Sequence, residues 1–170
     1  LKDYGEGSRV AQIFNQLADP QENAYHVQAQ KHGEKEYKLW QDRTDDAAAK
    51  GYFDQALASY DDPQKFAQGT AGALYHVEQA LRRKGYSGEA LERGMLEASS
   101  KAYKAGIAQA VEGKDFGSAG RLLSEGGKYM TAADALDARQ KIQSGIEQSM
   151  LQAAQDMSAM GDVEGIEKLM

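Results

Sequence analysis

The sequence predicts an all-α fold: an irregular array of long antiparallel helices and helical hairpins, with one long N-terminal helical arm. Three observations predict it. Apolar residues recur at steps of three and four along most of the chain, the spacing that gathers side chains on one face of a helix. No segment of useful length alternates at a period of two, as a half-buried strand would. Both prolines, the only 2 in the sequence, follow an aspartate, where aspartate caps a helix and proline fits its first turn.

The 170 residues suffice for a real core, since a domain of that size typically hides roughly 70% of its unfolded surface. Hydrophobic residues at 41% and charged residues at 27% are ordinary globular proportions. The mean hydropathy of -0.68 and the lack of any run of about 20 apolar residues argue against a membrane span. With no cysteine, the chain makes no disulfide, thiolate nucleophile or sulfur-ligated metal site. The net charge of -6 argues against direct nucleic-acid contact, because sequence-independent affinity comes from cations that displace counterions along the phosphates. The chain opens on Leu1 with no signal peptide visible behind it, and is expected to be a fragment of a larger protein.

Element by element, a short helix is expected over residues 8–18, with Val10, Ile13, Phe14 and Leu17 on one side. Asp19-Pro20 then starts a long arm of about 60 Å that reaches Tyr60, because Gly33 and Gly51 each cost only about 1 kcal/mol. Its middle, residues 28–36, is polar. Tyr37, Trp40, Ala47, Ala48, Phe53, Ala56, Leu57 and Tyr60 restore an apolar stripe, and Trp40 and Leu57 are expected in the core. Residues 1–60 therefore form one region and residues 61–170 a helical-hairpin array.

Within that array Asp62-Pro63 restarts a helix that turns Phe66, Thr70, Ala73, Leu74, Val77 and Leu81 inward. It ends in Arg82-Arg83-Lys84 beside the negative helix terminus, with Gly85 beyond. Ser87 is placed to cap the next helix, with Tyr86 as a staple onto Leu91; its stripe is Leu91, Met95, Ala98, Ala102, Tyr103, Ile107, Ala110 and Val111. A short helix is expected over residues 115–124. A Thr131/Asp134 capping pair then opens a final helix with Leu136, Ile142, Ile146, Met150, Ala153, Met157 and Met160 inward. The turn-and-helix stretch from Gly113 to Leu123 recurs loosely from Gly161 to Met170 and more faintly from Lys50 to Leu57. The unequal spacings separate this from regular arrays such as the tetratricopeptide class, whose period is about 34.

Candidate chemistry is sparse. His26 and His32 are six apart and face different ways, lacking the i, i+4 pair that a zincin needs; they read as surface or packed histidines, and His76 as a helix-boundary side chain. The serines sit at caps and polar faces without a Gly-x-Ser-x-Gly elbow. Gly113, Gly117 and Gly120 lack the lysine-serine ending and the preceding strand of a phosphate loop. Ser124-Glu125-Gly126-Gly127 reverses the glutamate-serine element of phage lytic transglycosylases, and the second motif of that group is missing. No catalytic residue, metal site or cofactor is expected. Lys31, Lys35 and Lys38 interleave with Glu34 and Glu36 as a solvated mixed-charge face. Gly69, Gly72, Gly94, Gly106 and Gly145 let backbones approach closely, either within the chain or between copies. Tyr37, Trp40, Tyr52, Met157 and Met160 are the candidate interface residues.

The stretches Lys38-Leu39-Trp40-Gln41, Tyr52-Phe53-Asp54-Gln55-Ala56-Leu57, Tyr60-Asp61-Asp62-Pro63, the run from Arg82 to Leu91, and Asp115-Phe116 to Leu122-Leu123 carry a resemblance. Over roughly residues 20–145 the chain resembles large helical virion proteins of tailed bacteriophages and prophages. The resemblance implies an internal virion, DNA-ejection or tail-associated component, located in the virion or in the host cytoplasm during assembly. It transfers no catalytic position. The expected function is a non-catalytic assembly segment whose partners are proteins, including other copies of itself and neighbouring virion proteins. Two alternatives stand beside it: a cellular helical-repeat adaptor for a peptide or protein, and the helical part of a tail-associated muralytic enzyme.

Overall fold

The computed structural model describes the backbone of residues 9–159 and the side chains of residues 24–159. The fold is all-α, and among the described residues there is no strand. Helix α1 (Arg9–Ala58) is followed by α2 (Pro63–Arg83), α3 (Gly88–Glu112), α4 (Phe116–Gly126), a 3-10 turn (Gly127–Tyr129) and α5 (Ala132–Ala159). The chain divides into two compact units, Leu1–Thr44 and Asp45–Met170. Among the described residues no helix is long and apolar enough to cross a membrane.

In the first unit the break expected at Asp19-Pro20 is absent, because α1 runs through it without interruption. Proline removes one amide donor and costs about 3 kcal/mol in a helix interior, but its fixed φ is still helical and the turns on either side carry the helix past it. Every described side chain from residue 24 to residue 40 is exposed. Trp40 is therefore not a core residue, as its stripe had suggested: its ring is 59% exposed. The faint third echo is not a turn either, since Lys50 to Leu57 lies within α1. The echo from Gly161 to Met170 lies outside the described residues.

In the second unit α3 is the central element and packs against α2, α4 and α5. The core joins Ala56 of α1, Phe66 of α2, Ile107 and Ala110 of α3, Ala119 and Leu122 of α4, Met130, and Ala138 of α5. The inward faces expected on α2 and α3 are the ones found: Phe66, Thr70, Ala73, Leu91, Ala102, Ile107 and Ala110 are buried. Leu57 is half-buried. On α5 the expected stripe is found in part: Ile142, Ile146, Ala153 and Met157 are half-buried, Ile142 against the core, whereas Leu136 at 57% and Met150 at 44% are exposed and Ala138 is buried in their place.

Helix ends follow local chemistry. Asp62 accepts hydrogen bonds from the amides of Gln64 and Lys65 at 3.0 and 3.1 Å, capping α2. At the other end the amides of Tyr86 and Gly85 donate to Leu81 and Arg82 carbonyls, a Schellman closure that needs Gly85 at φ +89°. Ser87 occupies the cap position of α3 but its hydroxyl makes no capping bond. Closure of α3 repeats the Schellman pattern through Lys114 and Asp115 amides, with Lys114 rather than the neighbouring Gly113 in the left-handed region at φ 59°. Arg121 Nη2 donates to the carbonyls of Tyr60 and Asp61 at 2.9 and 3.0 Å, fixing α4 to the turn that follows α1.

All five glycines considered for close approach are used within the chain. A methyl at Gly69 would stand 2.8 Å from the backbone nitrogen of Ala56, and others at Gly72, Gly94, Gly106 and Gly145 would meet Tyr52, Leu81, Phe66 and Val111. Gly69→Ala is expected to destabilise the protein by about 1–3 kcal/mol, since a backbone atom must shift. Gly120→Ala, with nothing within 4 Å, should stabilise it by about 0.5–1 kcal/mol. Paired chemical denaturation curves check both; equal effects would contradict this packing.

Candidate functional site

Among the five interface candidates, the structure brings two together. Tyr37 and Trp40 lie one turn apart on α1, their rings stacked at 5.8 Å between centroids with 25° between planes. They are 57% and 59% exposed, respectively. A helix places i and i+3 side chains side by side, so the pair follows from sequence spacing alone. Tyrosine and tryptophan are enriched at protein interfaces and among the residues that carry their binding energy.

The other three candidates lie apart from this pair. Tyr52 belongs to the second unit: it stacks on His76 at 5.7 Å and lies over Gly72, so it is a packing residue with one open edge. Met157 is half-buried near the end of α5, and Met160 falls outside the described residues. An apolar groove of about 270 Å³ lined by Phe53, Ala56, Leu57, Ala102 and Ala105, with Lys101 at its rim, was not anticipated. Its walls come from two segments far apart in sequence, which a linear stripe does not reveal.

Two polar clusters test the expectation that chemistry is absent. In the first, His76 Nδ1 lies 2.7 Å from Asp45 Oδ1, and Arg83 Nη2 lies 2.5 Å from Asp45 Oδ2. A carboxylate only accepts, so Nδ1 carries the proton it donates. The hydrogen bond from His76, followed by Arg83, holds the Asp45 carboxyl below its usual value against the opposing effect of burial. His76 is thus a tie between α1 and α2, not the simple boundary side chain read from sequence. Asp45 and His76 are 31 residues apart, which is why local spacing gave no signal.

The second cluster joins α3 to the start of α5. Ser100 Oγ donates to Asp134 Oδ2 at 2.5 Å and accepts from the Thr131 amide at 3.1 Å. The Asp134 amide donates to Thr131 Oγ1 at 3.2 Å, and that hydroxyl donates to Asp134 Oδ2 at 3.0 Å, realising the capping pair expected from sequence. Lys104 Nζ bridges Asp134 and Asp137 at 3.0 and 2.7 Å. Ser100 is fully buried and its hydroxyl is committed in both directions. The two carboxylates, Asp137 foremost, raise the Lys104 pKa and keep the ammonium protonated, unsuited to activate a serine. The arrangement performs capping and cross-linking.

His26 and His32 are exposed side chains of the first unit, and His32 lies 4.0 Å from Glu36 one turn on. Among the described residues no group of three or more histidine, aspartate or glutamate side chains is arranged to hold a metal ion. Comparison with protein families, with curated proteins and with solved structures finds no match to this chain.

Ser100, Lys104 and Thr131, in that order, bring the Asp134 carboxyl down to about 2. A carboxyl whose pKa is depressed on folding stabilises the folded state above its unfolded value near 3.8 and loses that contribution as pH falls toward 2. Thermal melts between pH 5 and pH 2 should therefore show a decline in Tm that is shallower in Asp134→Asn. Parallel declines in both proteins would contradict the role given to this carboxylate.

Proposed function

We propose that this chain is a non-catalytic assembly segment of a phage or prophage virion protein, acting through helix-mediated contacts with protein partners. Its place is the virion, or the host cytoplasm while particles form. The observation that carries the reading is the stacked, exposed Tyr37–Trp40 pair on a stretch of α1 whose described side chains from 24 to 40 are all exposed. A soluble monomer gains nothing from holding two large rings in water, whereas a partner that covers them gains their burial. The non-catalytic part is supported by the two polar clusters, whose serine, lysine and histidine groups are engaged as caps and ties.

A second reading, the adaptor, draws support from the groove at Phe53, Leu57 and Ala102, which has room for about one apolar side chain of a peptide.

The test is fractionation of phage-producing cells that carry this protein, with its peptides followed by mass spectrometry across a density gradient. Co-migration with particles is expected. Trp40→Ala should lower its recovery in particles by about tenfold while leaving fold stability within about 0.5 kcal/mol, as befits an exposed side chain. Recovery only in particle-free fractions would refute the virion reading and favour the adaptor.

A further inference from the structure

We infer that the partner of the Tyr37–Trp40 face is a second copy of this chain, paired in antiparallel orientation over residues 30–44; the inference rests on the assembly reading and names its partner. Residues Gln30, Gly33, Tyr37, Trp40 and Thr44 follow one another at alternating steps of three and four, the period of a two-helix seam. All five are exposed, and a Cβ at Gly33 would meet nothing within 4 Å. The seam is narrow. Two bulky rings sit at its centre, with glycine on one side and threonine on the other.

Orientation follows from size and charge. Treating Gln30, Tyr37 and Thr44 as a positions makes Gly33 and Trp40 d positions, and an antiparallel pair sets each a against a d of the other copy. Tyr37 then meets Trp40 of the second copy, twice by symmetry, and Thr44 meets Gly33 of the second copy, where the missing side chain leaves space for its methyl group. The residues that flank the seam on one side are Glu36 and Arg43. In this register Glu36 lies beside Arg43 of the second copy, again twice, so opposite charges face each other. Parallel pairing sets Glu36 beside Gln41 instead and loses the match. Among the described residues Glu36 pairs with His32 at 4.0 Å, a loose contact that pairing can replace. The same side chains that make the face attractive therefore also specify what covers it, since a copy of the chain brings both the complementary ring and the complementary charge.

Sedimentation equilibrium and light scattering of the whole chain over a wide concentration range read the pairing directly. A mass of two chains that falls toward one on dilution is expected. Trp40→Ala and Glu36→Arg should each weaken the dimer by about tenfold or more, and Glu36→Arg combined with Arg43→Glu should restore it. Unchanged circular dichroism shows that the single variants still fold. Orientation is read by disulfide trapping, for which the cysteine-free chain is suited. A mixture of Gly33→Cys and Thr44→Cys chains should cross-link to each other, and neither alone. A chain that stays monomeric, a dimer indifferent to both single variants, or efficient cross-linking of Gly33→Cys to itself would each overturn the inference. Recovery of a monomeric chain in particles would sink the pairing alone; a dimer absent from particles would sink the virion reading alone.

Discussion

The second unit depends on rings seated on glycines. Phe66 lies over Gly106, Tyr103 over Gly126, Tyr52 over Gly72 and Phe116 over Gly145, and at each place an added methyl group would collide with the ring or stand in tight contact with it. A glycine in a helix interior costs about 1 kcal/mol relative to alanine, so Gly72, Gly106 and Gly145 are a considerable loss of helix propensity, while Gly126 ends α4. The compensation is close approach: a ring that settles onto bare backbone buries the face turned to it and allows helices with few large aliphatic residues to share a core. Alanine does the same at smaller scale, which is why Ala73, Ala110, Ala119 and Ala138 are among the most buried residues.

That mode of packing decides what the sequence disclosed. Helix ends were legible because their chemistry is local: Asp62 caps α2, Gly85 closes it, and Thr131 with Asp134 starts α5. The inward faces of α2 and α3 were legible because Phe66, Leu91 and Ile107 mark them. The face of α5 was legible only in part: Ile142 and Ile146 lie on it, but Ala138 and Gly145 share it while Leu136 and Met150 point to water. A stripe drawn by hydropathy follows large side chains, and a glycine-and-alanine interface is nearly silent to it. Long-range polar ties were equally silent. Asp45 finds His76 and Arg83, and Ser100 finds Asp134, across separations that no local pattern encodes.

The candidate site divides the same way. Tyr37 and Trp40 were nameable from spacing, yet one stripe assigned Trp40 both to the core and to an interface. The structure removes Trp40 from the core, because the apolar residues of α1 that reach it begin only at Ala49 and Ala56. Along α1, then, the described apolar residues before Thr44 are exposed, and burial begins after Asp45. The groove beside Phe53 and Leu57 escaped notice because half of it belongs to α3.

The contrast between the two units bears on how an all-helical chain divides its labour. In the second unit three polar groups hold structural contacts: Ser100 accepts from a capping amide, Lys104 stays protonated between two aspartates, and His76 is tied to a carboxylate through Nδ1. The aromatic surface in the first unit is the reverse, with large rings ordered by mutual stacking and open to solvent. Order without cover costs solvation while the chain is alone and lowers the entropic loss when a partner arrives. Under the proposed assembly role, a helix that displays a stacked pair is suited to recognition by shape.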